Sequence, residues 1–264
     1  MSCLPNEVQH KIMSHLGLQD FYRYAQTCRH IQEAAIWYPN KNWDLTLYVS
    51  FNRVSFRAPS MLRHAQLIRY ESREVLFRNA KISHLALTNA TIEMYGLKAK
   101  TLQLTDAKAD VIEVLNRHKP EENYYMVTLQ AAQDPRTFPA IDEFSRKFID
   151  RFCIYCHPDA ALHDYLTFQH HELTLQRLIP IPTTDYVKSV VEQWLDKKRE
   201  IGRITIQFPG AVDVDAIVRI EGSSRPTPER IEFRRFDGLL LRMSFIMDRT
   251  GIKWLAASMR VHES

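Results

Sequence analysis

After residue 40 the chain repeats one small pattern. Two apolar residues flank a single residue in Leu45-Thr46-Leu47, Leu85-Ala86-Leu87, Leu102-Gln103-Leu104, Val127-Thr128-Leu129, Phe152-Cys153-Ile154, Leu173-Thr174-Leu175, Ile204-Thr205-Ile206 and Ile231-Glu232-Phe233. Alternation at a period of two puts the outer pair of each run on one face of a strand. From Leu85 onward the first positions lie 17, 25, 25, 21, 31 and 27 residues apart, and "HLALTNA" and "TLQLTDA" nearly superimpose across the first of these steps. The intervals leave room for a helix or turn between strands, as residues 110–116 and 144–152 suggest. A strand recurring every two to three dozen residues predicts a solenoid, in which each unit buries its apolar face against its neighbours. A mixed α/β domain with evenly spaced strands satisfies the same pattern.

The first forty residues are different. Pro5 suits the start of a helix, where a missing N–H costs nothing. Val8, Ile12 and Leu16 follow at four-residue steps, and Gly17 is expected to end that helix in a left-handed turn. Asp20 is placed to cap a second helix, with Phe21, Tyr24, Ala25, Cys28 and Ile31 on its apolar side. A third short turn runs through Ala34, Ala35 and Ile36 before Pro39. Forty residues cannot normally hold a core without a disulfide, a metal or a partner. Leu4, Val8, Met13, Leu18 and Phe21 do not share one narrow seam, so some of them must meet the later chain or another protein.

Leu4-Pro5-Asn6-Glu7, followed by Val8, Ile12, Leu16, Asp20 and Cys28-Arg29, resembles the F-box. Thr27 and Ile31 depart from it, standing where that family often has valine and tryptophan; Trp37 or Trp43 supplies an alternative aromatic. The resemblance covers residues 4 to about 40. It implies docking on the adaptor subunit of an SCF ubiquitin ligase, and through it on a cullin, with Leu4, Pro5, Glu7, Val8, Ile12, Leu16, Leu18 and Phe21 as the adaptor-binding positions.

The remainder is closest in pattern to an irregular leucine-rich-repeat-like solenoid, without the full consensus. The expected class is thus α+β or α/β: a three-helix F-box over 1–42, then a strand–helix target-binding domain over 43–264. Near the end, Thr184 or Asp185 caps a helix whose apolar face is Val187, Val190, Val191, Trp194 and Leu195. Lys197, Lys198 and Arg199 crowd its last turn, where positive charge suits the dipole. Gly202 is expected to stop it, 203–208 to form a strand, and Asp237-Gly238 to turn a hairpin. This order, with Arg235-Phe236-Asp237-Gly238, is similar to the F-box-associated domain type 2 of nematode F-box proteins, a region with no catalytic residue to carry over.

Other chemistry finds little support. With seven glycines in 264 residues, the closest pair being Gly202 and Gly210, no phosphate-cradling loop can be written. Cys153-Ile-Tyr-Cys156-His157 spells C-x-x-C-H, but haem attachment needs export, and the first twenty residues hold no apolar signal core. Zinc needs two more ligands; His163, His170 and His171 lie downstream in no recognised pattern. "HELTL" (171–175) has leucine where a zinc protease needs its second histidine. His170-His171 reads as a surface pair, and the two cysteines as small packed residues. The formal charge of +4 and pI near 8.8 rest on short clusters, Lys197–Arg199 and Arg234–Arg235. These read as solvated charge rather than a nucleic-acid stripe. Four cysteines and no long apolar run predict a reduced, intracellular, soluble protein, cytoplasmic or nuclear. Neither metal nor cofactor is expected, nor nucleic acid or membrane as partner, nor catalysis. The rivals are a stand-alone interaction module, whose helical hairpin merely caps the solenoid, and a hydrolase or metal enzyme built on Cys153, Cys156 and the histidines.

Overall fold

The structure, a computed structural model, describes residues 4–50, 53–59, 65–67, 70–89, 95–105, 110–130, 134–156, 161–176, 184–207, 212–247 and 254–262. Two compact units divide the chain, Met1–Tyr125 and Met126–Ser264. The expected boundary near residue 42 therefore falls inside the first unit.

The first unit opens with three short helices, α1 (Asn6–Met13), α2 (Leu18–Ala25) and α3 (Arg29–Trp37). Strands β1 (Asn42–Ser50), β2 (Arg53–Arg57) and β3 (Ala65–Leu67) come next, then α4 (Tyr70–Phe77), β4 (Lys81–Thr88), β5 (Lys98–Thr105) and α5 (Val111–His118). The strand order is β3-β2-β1-β4-β5, with β1, β4 and β5 parallel to one another and β2 and β3 added as antiparallel strands. The repeated runs pair in register: Leu47 opposes Leu85, Leu85 opposes Leu102, and Leu87 opposes Leu104. All of these leucines but the half-buried Leu87 are counted among the core, as period-two burial requires of a sheet covered on one side.

Why the first helices fold where they do is visible in one cluster. Phe21, in α2, has its ring 5.9 Å from Tyr38 and 5.5 Å edge-on to Trp43 at the start of β1, whose ring lies 6.1 Å from Phe77 of α4. Helices α3 and α4 pack together, and α1 and α2 pack on α3. The small helical piece thus borrows its core from the next strand and helix, inside the first unit. Each such aromatic pair adds about 0.5–1.5 kcal/mol beyond the area it buries.

Local punctuation differs from the sequence expectation in three places. The first helix ends at Met13, with Ser14 Oγ donating to Lys11 O at 2.7 Å. Gly17 is extended (φ −68°, ψ 167°) and stands at the N-cap of α2, so it makes no left-handed turn. Asp20 is inside the first turn of α2 and lies 3.5 Å from Arg23. A carboxylate there still meets the positive end of the helix. By contrast, residues 110–116, read as a helix or turn, do hold a helix start: Asp110 caps α5, accepting from Glu113 N at 3.1 Å.

The second unit holds β6 (Tyr124–Gln130, starting at the boundary), α6 (Phe138–Phe148), β7 (Ile149–Tyr155) and β8 (Glu172–Gln176). It continues with α7 (Thr184–Leu195), β9 (Arg203–Gln207), α8 (Val214–Val218), β10 (Ser223–Thr227), β11 (Arg230–Arg234), β12 (Leu240–Met247) and β13 (Trp254–His262). Its order is β6-β7-β8-β9-β13-β12-β11-β10. Strands β7, β8 and β9 are parallel and again in register: Phe152 opposes Leu173, Leu173 opposes Ile204, and Leu175 opposes Ile206. Residues 149–152, expected within a helix, are strand; the helix ends at Phe148.

The last run, Ile231–Phe233, leaves the parallel series. Strands β10 to β13 form an antiparallel meander that meets β9 through β13. The tight 235–239 connection dictates this, since a short hairpin cannot return a parallel strand. Gly238 takes φ 91°, and Gly238 N donates to Arg235 O at 3.0 Å. Helix α7 ends at Leu195, and Lys197 (φ 59°), not Gly202, adopts the left-handed conformation beyond it.

Candidate functional site

The N-terminal positions singled out by spacing separate into two sets. Pro5 stands at the N-cap of α1, its carbonyl accepting from Val8 N and Gln9 N at 3.1 Å each. Gln9 is buried and donates from Nε2 to Leu4 O at 2.7 Å, which ties the entering chain to the helix. This leaves Leu4 at 49% and Val8 at 42% exposure, four residues apart, with Pro5 and Glu7 also exposed beside them. Ile12, Leu16 and Leu18 are half-buried. Leu18 lines an open cleft of about 640 Å³ with Asp20, Trp43 and Pro59.

Phe21 belongs to the other set. Spacing grouped it with the outer residues, but at 1% exposure its ring is core. A period of 3.6 states which residues share a side, not which side faces the rest of the chain. Trp43 and Tyr38 claim it. Met13, 2% exposed, is likewise internal. The helix pair therefore keeps a narrow apolar strip outside, Leu4 and Val8 with half-covered Ile12, Leu16 and Leu18. Covering Leu4 and Val8 with a partner is worth about 1 kcal/mol each, since roughly half of each side chain is still wet.

Lys41, which no pattern marked, lies between the ends of α3 and α4, near the ring of Phe21. It is 1% exposed, and its Nζ donates at 2.9 Å to Ile36 O and to Arg78 O. The ammonium also lies 6.0 Å from the Phe21 ring centroid. Burial, reinforced by the Arg78 charge, lowers its pKa to about 7. It ties the end of α3 to the end of α4, and so holds the helical piece on the strands.

Of the cysteine and histidine candidates, the side chains of Cys153, Cys156, His170 and His171 are among those described, and that of His163 is not. Cys153 lies in β7 and is half-buried, and burial pushes its thiol up to about 11, far from a nucleophile's range. Cys156, just past β7, is buried. His170, read from sequence as a surface residue, is completely buried: Nε2 donates to Ile149 O at 2.7 Å and Nδ1 accepts from Glu172 N at 3.1 Å. Those two bonds fix the neutral tautomer, and burial lowers its pKa. His171 is exposed and stacks on it at 4.9 Å. Arg199, expected on the helix end, is instead 2% exposed and donates from Nη2 to Phe168 O. Asp142 accepts from Gln169 N at 2.7 Å, and burial raises its pKa despite Arg146 nearby. These three groups pin residues 168–170 where β8 begins. His157, and Phe208 at the end of the strand expected over 203–208, lie outside the described residues. Among the described residues no three His, Cys, Asp or Glu side chains come together to hold a metal, and no helix is long and apolar enough to cross a membrane.

Comparison with known proteins adds one match: the F-box-like family model fits residues 1–38. The N-terminal segment is thus an F-box-like domain. No characterised protein and no solved structure matches the chain.

Proposed function

We propose that this chain is the substrate-recognition subunit of an SCF-type ubiquitin ligase. The F-box-like domain docks on the ligase adaptor, and through it on a cullin. The rest of the chain holds a target protein. One observation carries this: an F-box-like segment that leaves Leu4, on the chain entering α1, and Val8, in α1, in water four residues apart. Buried apolar anchors of this kind supply most of the energy of a helix-in-groove contact.

The parallel, in-register strands within each unit support a leucine-rich-repeat-like reading of the target-binding part, and the Arg235–Gly238 turn supports kinship with the F-box-associated domain of nematode proteins. No residue of this chain is assigned a catalytic role. The ligase's charging enzyme supplies the bond-forming chemistry, and the receptor supplies proximity, raising the local concentration of target lysines around activated ubiquitin. That work places the protein in the cytoplasm or nucleus. It also needs a stiff connection between the docking helices and the strands behind them. The edge-to-face series Phe21–Trp43–Phe77 and Lys41 provide one within the first unit.

A second reading has an observation of its own. Met13 and Phe21 are covered by the chain's own residues, as they would be in a hairpin that only caps a stand-alone interaction module. Co-expression with an SCF adaptor separates the two. Leu4→Asp with Val8→Asp should abolish capture of the adaptor while leaving the melting temperature unchanged, because both side chains are exposed. Undiminished capture by that double variant would rule out docking through this strip.

A further inference from the structure

The outward face of the sheet in the second unit carries an arginine row that the fold does not balance. Arg203 of β9 opposes Arg260 of β13, and Arg260 opposes Arg242 of β12. The row is closed on one side by Glu232, opposite Arg242, and on the other by Glu172, opposite Arg203. Opposed residues share a face, and their Cβ atoms lie about 4.5–5.5 Å apart. The inward neighbours Ile204, Met259, Met243, Ile231 and Phe233 are buried, so the arginines point to the other, solvated side. Arg230 and Arg234 flank Glu232 on that same side.

Glu232 is occupied already. Its carboxylate accepts from Arg230 and, at 3.1 Å, from Arg242, and these bonds hold it below the usual carboxylate range. Arg203, Arg234 and Arg260 are exposed and make no ion pair among the described residues. The described side chains on this face of β8, β9, β11, β12 and β13 hold five arginines against two glutamates. Like charges directly opposite on neighbouring strands destabilise a sheet. Three successive arginines, two of them unpaired, are therefore a cost that a bound anion would relieve. His262, in the same strand as Arg260, has its pKa lowered by desolvation and by Arg242, Arg260 and Arg230, which agrees with a positive field here.

The next positions along the strands are Thr205, Ser258 and Ser244, opposed across β9, β13 and β12. They are small hydroxyl donors with no aromatic ring among them on which a base could stack, unlike a single-stranded nucleic-acid platform. From this geometry we infer that the Arg203–Arg260–Arg242 row binds a carboxylate-rich segment of a protein partner. As the place where a target would be held, it rests on the substrate-receptor reading above. As a binding site, it does not.

The test uses the full chain and a fluorescent oligo-glutamate peptide, followed by anisotropy. The wild type should bind, and weaken as salt rises, because exposed charge pairs are screened. Arg203→Gln with Arg260→Gln should weaken binding by roughly 2- to 30-fold, given the modest strength of each exposed pair. Arg136→Gln, an exposed arginine of the same unit paired with Asp134, should not. The double variant should also melt no lower than the wild type, since it removes an opposed like-charge pair. Equal binding by wild type and double variant, or equal binding of an oligo-glutamine peptide, would overturn the inference. So would tighter binding of single-stranded RNA than of oligo-glutamate, which would make the row a nucleic-acid surface. Adaptor capture by the wild type is measured in parallel. Peptide binding without adaptor capture removes the ligase reading and leaves the site. Adaptor capture without peptide binding does the reverse.

Discussion

Lys41 shows how one side chain can set the pH response of a fold. Its ordinary pKa near 10.5 falls to about 7 in the folded chain. At acid pH both folded and unfolded chains carry the proton. Between about 7 and 10.5 only the unfolded chain does, so unfolding takes up a proton and stability rises with pH across that window. Chemical denaturation from about pH 6.5 to 9 should show the midpoint rising for the wild type. Lys41→Met should flatten that dependence. At neutral pH it should also cost about 1–3 kcal/mol, because the Ile36 and Arg78 carbonyls lose their donor. A wild-type midpoint that falls as pH rises would contradict the assignment. Nothing in the sequence announced this residue. A lysine between Asn40 and Asn42 reads as surface charge, and only the arrival of α3 and α4 on either side buries it. His170 is the same lesson in reverse, a polar residue beside another histidine that folding places entirely inside, paired to two backbone groups. That some apolar residue of the first helices must stay outside was legible, because a forty-residue piece lacks a core; that these are Leu4 and Val8, while Met13 and Phe21 turn inward, was not, because spacing does not say which side faces the rest of the chain.

At the scale of elements, the strands were the readable part. The eight alternating runs all fall in strands, and those in β4, β5, β7, β8 and β9 pair in the register their similarity suggests. A slip by one residue would turn every leucine outward, so burial itself fixes the register. Element ends were less readable. Gly17 and Gly202 looked like helix stops, yet the left-handed positions belong to Asn79 (φ 56°) and Lys197 (φ 59°). Both are non-glycine residues. Asn79 N donates to Tyr95 O at 3.0 Å, and the following Gly96 (φ 69°) has no room for a Cβ, which would strike the Asn79 side chain. Gly96→Ala should therefore destabilise by about 1–2 kcal/mol, from backbone strain and that clash together. An unchanged melting temperature would show that this turn relaxes freely. Asp110→Ala offers a milder case, with about 1 kcal/mol lost from the α5 cap.

For the whole molecule, the compact units divide at Tyr125/Met126, so the F-box-like segment packs with the strands that follow it. The docking helices are built into the first unit. A perturbation of its strands or of α4 should reach the adaptor contact through Phe77, Trp43 and Phe21, whereas the Arg203–Arg260–Arg242 row belongs to the second unit. The two proposed partner surfaces, one in each unit, suit the proposed receptor, which must hold an adaptor and a target at once. Hydrogen exchange of the full chain, with and without purified SCF adaptor, addresses the central claim. Added protection should concentrate in residues 4–25, with amides of β9 and β11–β13 unchanged. If the adaptor left residues 4–25 exchanging as they do in the free chain, the F-box-like segment would not be a docking element, and the ligase reading would fall.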